Sequence, residues 1–419
     1  MLPSSSHDAS AMSKVQSFRK TAKERLDKAI HIACALAARQ KPALLAYLDL
    51  QRHVQNRTSL LSPQGSVGRG GADSLTLFNW GLVNLAFHQA DWLRPVESWA
   101  IPKVNPLPKF TSLAQHLLAK YPMPGFMTSV WLQCPSQEAY RHQGWFKHLG
   151  LGTSIRKADL PLTYTKSMAH WFSQAPDHLT AGQALRWAQI RGLDGSERLA
   201  ETVVATRLAK VFANEDFWLT LLHFFVSHPK MDLAHVGPLI DFLQHERFTP
   251  QEVFEHGVLV KKGPPQPKYS LKGRTLESLL RQMARWHERL GKDSGRPIWH
   301  WTRCNIGEYE IVEGSENMGN MRRWTIEECL NSKELEAEGR AQRHCVATYA
   351  EKCAKRQTSI WSLRVENDLG RKPVLTIEVD PPTRTICQIR GRGNRLPKDH
   401  EREIIRLWAI QERLRMAVQ

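Results

Sequence analysis

The side chains best suited to chemistry lie between Gly339 and Asn394. His344 and Glu378 carry an imidazole and a carboxylate, the groups that most often transfer protons in enzymes. Other side chains in the stretch carry the guanidinium and amide groups that grip a phosphate through several hydrogen bonds. These candidate ligand-binding residues are Arg364, Gln388, Arg390, Arg392, Asn394 and Arg395. We therefore predict a site for a phosphate-bearing ligand, with His344 and Glu378 as its candidate catalytic residues.

One helix and three strands would position these side chains. Residues 341–356 contain no Pro or Gly, and three of them recur at helical spacing: Cys345, Tyr349 and Cys353. Three segments follow in which apolar and polar residues alternate, at 360–365, 373–380 and 384–390. Turn-forming residues separate these segments. The pattern predicts an α+β domain with a small antiparallel sheet, built as a helix followed by a three-stranded meander.

The alternation divides the predicted strands into two faces. The apolar face would pack on the helix and consists of Trp361, Leu363, Val365, Leu375, Ile377, Val379, Cys387 and Ile389. The polar face would carry the ligand-binding groups and consists of Ser362, Arg364, Thr376, Glu378, Gln388 and Arg390. An ordinary solvated face held by cross-strand Arg–Glu pairs is the alternative.

The same stretch resembles the PcfJ-like family over about residues 269–408. The matching pieces are Gly273-Arg274-Thr275, Ser278-Leu279-Leu280, Trp286-His287, Trp324, Glu334-Leu335, Glu338-Gly339, His344-Cys345-Val346, Tyr349, Ser359-Ile360, Leu363-Arg364, Thr376-Ile377-Glu378 and Gln388-x-Arg390-Gly391-x-Gly393-Asn394. One departure is Ala347, where the family motif has Gly. The family is named for a protein of a conjugative plasmid, so the resemblance implies an association with plasmids or other mobile elements. It implies no particular reaction.

The cysteines do not indicate a metal site or a disulfide framework. There are seven, scattered along the chain, and none forms a CxxC pair. His344 and Cys345 are adjacent, and adjacent residues of a helix point about 100° apart, so they cannot form a catalytic dyad with each other. Zinc bound by these two and Cys353 would lack a fourth ligand. We predict no metal, no cofactor and a reducing, cytoplasmic location.

The charge of the chain favours an anionic partner. The 419 residues carry a formal net charge of +17. Residues 340–419 contain 17 Lys and Arg against nine Asp and Glu, which is nearly half of the excess. We therefore expect contact with DNA or RNA. Two alternatives stay open: an enzyme acting on nucleic acid or nucleotide through His344 and Glu378, and a scaffold whose helical region binds a protein partner.

The rest of the chain is expected to be mainly helical. We predict disorder over 1–13, an all-α region over 14–257, a linker over 258–273 and the PcfJ-like α+β domain over 274–419. Tryptophans at amphipathic spacing in the helical region should form its core. Within the last domain, 297–311 should form a hairpin and Thr325 should cap a short helix. The longest apolar run, 217–226, is too short to span a bilayer, so no membrane partner is expected.

Overall fold

A computed structural model describes residues 24–416, except for 25, 39, 62–73, 210, 256–257, 291–297, 315–320, 344–345 and 369. The predicted disordered segment 1–13 lies outside these residues. The chain divides into two compact units, Met1–Leu193 and Asp194–Gln419. The bounds expected at residues 257 and 274 separate domains that would fold independently, and they stay a prediction.

The first unit is built from helices, as expected for the N-terminal region. They are α1 (26–37), α2 (Lys41–Arg57), α3 (Ser74–Phe87), α4 (Pro106–Leu118), α5 (Gln137–Gly150), α6 (Lys166–Ser173) and α7 (Ala181–Gly192). Helix α7 begins with a capping box, in which Thr180 and Gln183 exchange side-chain and backbone hydrogen bonds. Trp131, Trp145 and Trp187 are buried, whereas Trp80, Trp92 and Trp171 are partly exposed, so the expectation that the tryptophans form the core holds for only some of them.

The second unit begins with three more helices and a β-hairpin. These elements are α8 (Glu197–Val204), α9 (Glu215–Val226), α10 (Val236–Phe248), β1 (Gln251–Glu255) and β2 (Val258–Lys262). The two strands pair antiparallel along their whole length. The expectation of an all-α region up to residue 257 is therefore wrong at β1, and the predicted linker begins with a strand. Val253, Phe254, Val258 and Val260 favour extended backbone, which explains the difference.

A six-stranded mixed sheet forms the centre of the second unit. Its strands, in spatial order, are β3 (Tyr309–Glu313), β4 (Arg322–Glu328), β5 (Ser359–Asn367), β6 (Gly370–Asp380), β7 (Thr385–Gly391) and β8 (Arg415–Met416). All pairs are antiparallel except β7 and β8. The predicted meander corresponds to β5–β7 and is half of the sheet. The helix expected from Thr325 is instead part of β4, because Trp324 and Ile326 alternate with polar residues and β4 pairs with a strand on each side. The hairpin predicted over 297–311 is not seen in the described residues 298–311. The second half of this segment belongs to β3, which pairs with β4.

The apolar face of the sheet packs against the C-terminal helix α14 (Asp399–Gln411). The expectation that it packs on a helix over 341–356 is wrong, because the segments on either side of Arg343 lie on the opposite face. Ile404, Ile405 and Trp408 of α14 join the sheet residues in one buried cluster. Every residue predicted for the apolar face lies in that cluster except Cys387, which is exposed. A β-bulge explains the exception, since the register of β6 and β7 shifts after Glu378 and places Ile386 in the core instead.

The opposite face of the sheet is covered by α12 (Ser332–Gln342) and the short α13 (Ala350–Ala354). The continuous helix predicted over 341–356 is wrong, because α12 ends at Arg343 with φ 54° and ψ 50°, a left-handed conformation that breaks a helix. Cys353 is nevertheless buried, against Leu335, Val346 and Ile360. The remaining helix of the unit, α11 (Leu276–Leu290), lies between β2 and β3 in the chain and packs against α12.

Candidate phosphate-binding site

The polar face predicted from the sequence is one continuous surface of the sheet. We call it the polar sheet face and define it as Glu327, Ser362, Arg364, Thr376, Glu378, Gln388 and Arg390. Strand register places three of these side by side across β5–β7: Ser362 lies opposite Thr376, which lies opposite Arg390. In the next row Glu378 lies opposite Gln388. Strand register therefore places Glu378, Gln388 and Arg390 at neighbouring positions of one face. Their convergence on a ligand stays a prediction.

A buried carboxylate of α12 lies on this face. Glu338 is 3 % exposed and accepts hydrogen bonds from Ser362 Oγ at 2.8 Å and from Thr376 Oγ1 at 2.6 Å. Burial raises the pKa of Glu338, and the two hydroxyl hydrogen bonds offset part of that increase. The carboxylate thus fixes α12 on the sheet and occupies the middle of the polar sheet face.

Arg364 is held by neighbours on the same face. Its Nη1 lies 3.2 Å from Glu327 Oε2, and its Nε donates to Ser362 Oγ at 3.2 Å. Glu327 also pairs with Arg371. The guanidinium of Arg364 therefore already has a carboxylate partner.

Glu378 and Gln388 are half-buried at the β6–β7 end of the face. Thr358 Oγ1 donates to Glu378 Oε1 at 3.3 Å and lies 3.1 Å from Val379 O. The catalytic role proposed for Glu378 with His344 stays a prediction, because His344 lies outside the described residues.

Arg390 connects the sheet to the helices of its own unit. Its guanidinium donates to the carbonyl of Ala205, at the C-terminal end of α8, and to Ile389 O at 2.7 Å. Burial lowers the pKa of Arg390 to about 10, against the opposing influence of Asp241. Positive charge at a helix C-terminus is stabilising, so Arg390 has a structural role in addition to any contact with a ligand.

Arg395 also has a carboxylate partner. Its Nη1 and Nη2 lie 2.7 and 2.8 Å from the two carboxylate oxygens of Glu401, in a bidentate pair. Glu401 accepts from the backbone N–H of Lys398 as well, at the start of α14. This arrangement fixes the turn between the sheet and α14.

Arg392 remains available for a ligand. It is exposed in the turn Arg392–Asn394, where Gly393 adopts φ 66°. The turn lies against α10 and α12. Helix α12 packs against β6 as well as against this turn. The side chain of Asn394 lies outside the described residues.

The end of α12 supplies a second exposed guanidinium that sequence reasoning missed. Arg343 is exposed, and within the described residues neither Arg343 nor Arg392 makes an ion pair. Arg343 lies close enough to α11 to affect His287 of that helix. The pKa of His287 is lowered to about 4, mainly by burial and in addition by the positive charge of Arg343. The buried atom His287 Nε2 has no hydrogen-bond partner among the described residues. The signal that could have indicated Arg343 was its position after the last apolar residue of a helix.

No metal centre is visible in the described part of the chain, which contains no group of three or more His, Cys, Asp or Glu side chains arranged around one point. His344 and Cys345 are outside that part, so the expected absence of metal stays a prediction. Among the described helices, none has the length and apolarity that crossing a bilayer requires.

Comparison with known proteins identifies the C-terminal part alone. Neither the curated proteins nor the solved structures contain a significant match to this chain. The family model described as PcfJ-like protein matches residues 323–405, from β4 into α14. The matched segment contains the polar sheet face, the Arg392 turn and the Arg395–Glu401 pair. The resemblance expected over about 269–408 is thereby confirmed for residues 323–405, which form a PcfJ-like domain, and the pieces expected upstream of residue 323 lie outside the match.

Proposed function

We propose that the second unit binds the phosphate backbone of DNA or RNA through Arg343, at the end of α12, and Arg392, in the turn that packs against α12. The observation that carries the proposal is the contrast between these two residues and the other predicted phosphate ligands. Arg364 pairs with Glu327 and Arg395 with Glu401, whereas Arg343 and Arg392 are exposed cations without a carboxylate partner in the described chain.

The surroundings support an anionic ligand. A guanidinium offers several donors in a fixed plane and retains its charge at all physiological pH values. The chain carries +17 overall, which raises the local concentration of polyanions and speeds their association. Gln388 lies two residues before Arg390 on the same face of β7 and offers an amide. An association with plasmids or other mobile elements is part of this proposal and rests on the family resemblance.

The backbone conformation of Arg343 allows a clean test. Its φ of 54° is unfavourable for every residue type with a side chain but not for Gly. Arg343→Gly therefore removes the guanidinium and relieves backbone strain at once, so we expect the free energy of unfolding to change by less than about 1 kcal/mol. Binding of a fluorescent oligonucleotide at low salt should weaken by about tenfold, the effect of a charge-assisted contact.

Arg413 provides the matched control. It is exposed, follows α14 and has φ 53°, so Arg413→Gly makes the same chemical and conformational change at a different place. We expect it to bind like the wild type. Arg392→Ala should weaken binding as Arg343→Gly does. Equal affinities for wild type, Arg343→Gly and Arg392→Ala would refute the proposed site, and failure of the wild-type chain to bind DNA or RNA would refute the function.

A further inference from the structure

An open, basic depression lies at the other end of α11, away from the Arg343–Arg392 site. It has a volume of about 480 Å³ and is formed by residues 266–274. Its charged lining residues are Lys268, Lys272 and Arg274, and no carboxylate of the described residues lines it. The buried carboxylate of Glu246 lies behind the lining, where it accepts a hydrogen bond from Gln266 Nε2 at 2.6 Å. We call it the 266–274 pocket.

Arg274 is fixed in place within this pocket. Its guanidinium carbon lies 4.3 Å above the centre of the Tyr269 ring, and its Nε donates to Ser270 O at 2.7 Å. Tyr269 is buried, and its hydroxyl donates to Gln282 Oε1 of α11 at 2.8 Å. The stacked ring and the single Nε bond hold the guanidinium while its two Nη groups stay available to a ligand. Ordering this side chain on binding therefore costs little conformational entropy.

The nearest carboxylate in the sequence does not neutralise the pocket. Glu277 follows in the first turn of α11, where its own backbone N–H and the Thr275 hydroxyl lower its pKa. It turns towards the helix start and is not part of the lining. Two exposed ammonium groups and one oriented guanidinium therefore face solvent in a recess wide enough for a phosphate.

We infer that the 266–274 pocket binds phosphates of the same nucleic acid that Arg343 and Arg392 contact, so this inference rests on the proposed function. The length of α11 sets the spacing. From Leu276 to His287, the residue near Arg343, the helix extends by about 16 Å at 1.5 Å per residue. Phosphates along one strand of a duplex are spaced by about 3.4 Å along the axis, so the two contacts are about five base pairs apart.

The test uses the full chain and a fluorescent 16-base-pair DNA duplex with its RNA counterpart. The double variant Lys268→Gln/Lys272→Gln removes two exposed charges and leaves the structural contacts of Arg274 intact. Lys230→Gln/Lys333→Gln removes two equally exposed charges elsewhere in the unit. We expect the first variant to bind at least about fivefold more weakly than the second. The slope of log K against log salt should become shallower by about one to two, since each lost phosphate contact contributes about 0.9.

The outcomes separate this inference from the proposed function. If Arg343→Gly weakens binding but the Lys268/Lys272 variant matches its control, the pocket is not a nucleic-acid contact and the inference fails alone. If the wild type does not bind, the proposed function fails. Binding of polyglutamate as tight as that of DNA, with the same dependence on Lys268 and Lys272, would assign the pocket to an acidic protein and also overturn the inference. Unchanged thermal unfolding of both variants confirms that they are folded.

Discussion

Glu338 is the residue whose environment contributes most to the arrangement of the domain. A carboxylate that is 3 % exposed would destabilise the fold unless hydrogen bonds replaced its lost hydration. Ser362 and Thr376 supply them, from two neighbouring strands. One side chain of α12 therefore fixes the helix to both β5 and β6.

Burial of Glu338 makes the stability of the domain depend on pH. Because the pKa of Glu338 is raised on folding, the folded state binds its proton more tightly than the unfolded state. Its contribution to stability is fully present below the ordinary carboxyl pKa of about 4.3 and is lost as pH rises through the folded value. Glu338→Gln keeps the shape and cannot ionise. As the pH rises from 4 to 8, the free energy of unfolding of the wild type, measured by urea titration, should fall relative to that of Glu338→Gln. A difference between the two that does not depend on pH would contradict the assignment.

Removing the acceptor altogether should be more costly. Glu338→Ala leaves the Ser362 and Thr376 hydroxyls buried without their partner, and an unsatisfied buried polar group costs about 1–3 kcal/mol. We expect a loss of at least about 2 kcal/mol in the free energy of unfolding, measured by urea denaturation at pH 5. A loss as small as that of Glu338→Gln would show that the network does not stabilise the fold.

Arg395 and Arg392 should behave in opposite ways although three positions separate them. Burial opposes ionisation of Glu401, but the hydrogen bonds from Arg395 and Lys398 outweigh it and keep the pKa of Glu401 below its usual value. This stabilisation is present above the ordinary carboxyl pKa and is lost as pH falls through the folded value. Arg395→Ala should therefore cost about 1–3 kcal/mol at pH 7 and less at pH 3. Arg392→Ala should leave thermal unfolding unchanged at both pH values.

At the scale of elements, the β6–β7 bulge makes the thiol of Cys387 accessible to reagents. Cys387 is exposed because the register shifts after Glu378, while Cys329 and Cys353 are buried. Burial raises the pKa of Cys353 to about 12 and raises that of Cys329 as well. Since the thiolate is the reactive form, iodoacetamide at pH 7.5 should modify Cys387 well before these two. Mass spectrometry after short labelling measures the order, and protection of Cys387 would indicate an unbulged register.

Helix α14 should be essential for the stability of the sheet. Ile405 is fully buried in the cluster that it forms with the strands, whereas Ile410 of the same helix is 62 % exposed. Ile405→Ala should cost about 2–4 kcal/mol through lost burial and the cavity left behind. Ile410→Ala should cost less than about 0.5 kcal/mol. Denaturant unfolding monitored by tryptophan fluorescence gives both values, and similar losses would mean that α14 does not pack through this face.

At the scale of the whole molecule, the charge of +17 and the exposed cations predict binding governed by phosphates. Affinity for an oligonucleotide should fall steeply with salt, because neutralising each phosphate releases bound counterions. Phosphate contacts carry no sequence information. Fluorescence anisotropy with duplexes of equal length and different sequence should therefore give dissociation constants within about threefold of each other. A strong sequence preference would require contacts to base edges that the proposed site does not include.

The sequence by itself determined the elements whose side chains alternate or recur regularly. Apolar periods predicted most of the N-terminal helices, strands β5–β7 and the buried face of those strands, because burial of one face imposes the same period on any chain that folds this way. The motif residues also sufficed to indicate the PcfJ-like domain. A candidate site between Glu378 and the Arg392 turn followed from the same alternation.

Only the tertiary structure decided what each of those residues contacts. Thr325 lies in a strand and not at a helix start, because β4 pairs with β3 and β5, which are distant in sequence. The bulge that exposes Cys387 depends on a partner strand. Arg364 and Arg395 have carboxylate partners, whereas Arg343 and Arg392 have none among the residues that the structure describes, although all four look alike in the sequence. The physical reason is that the local sequence pattern determines which face of a helix or strand a side chain lies on. The residue that it contacts belongs to another element, which comes close only when the chain folds.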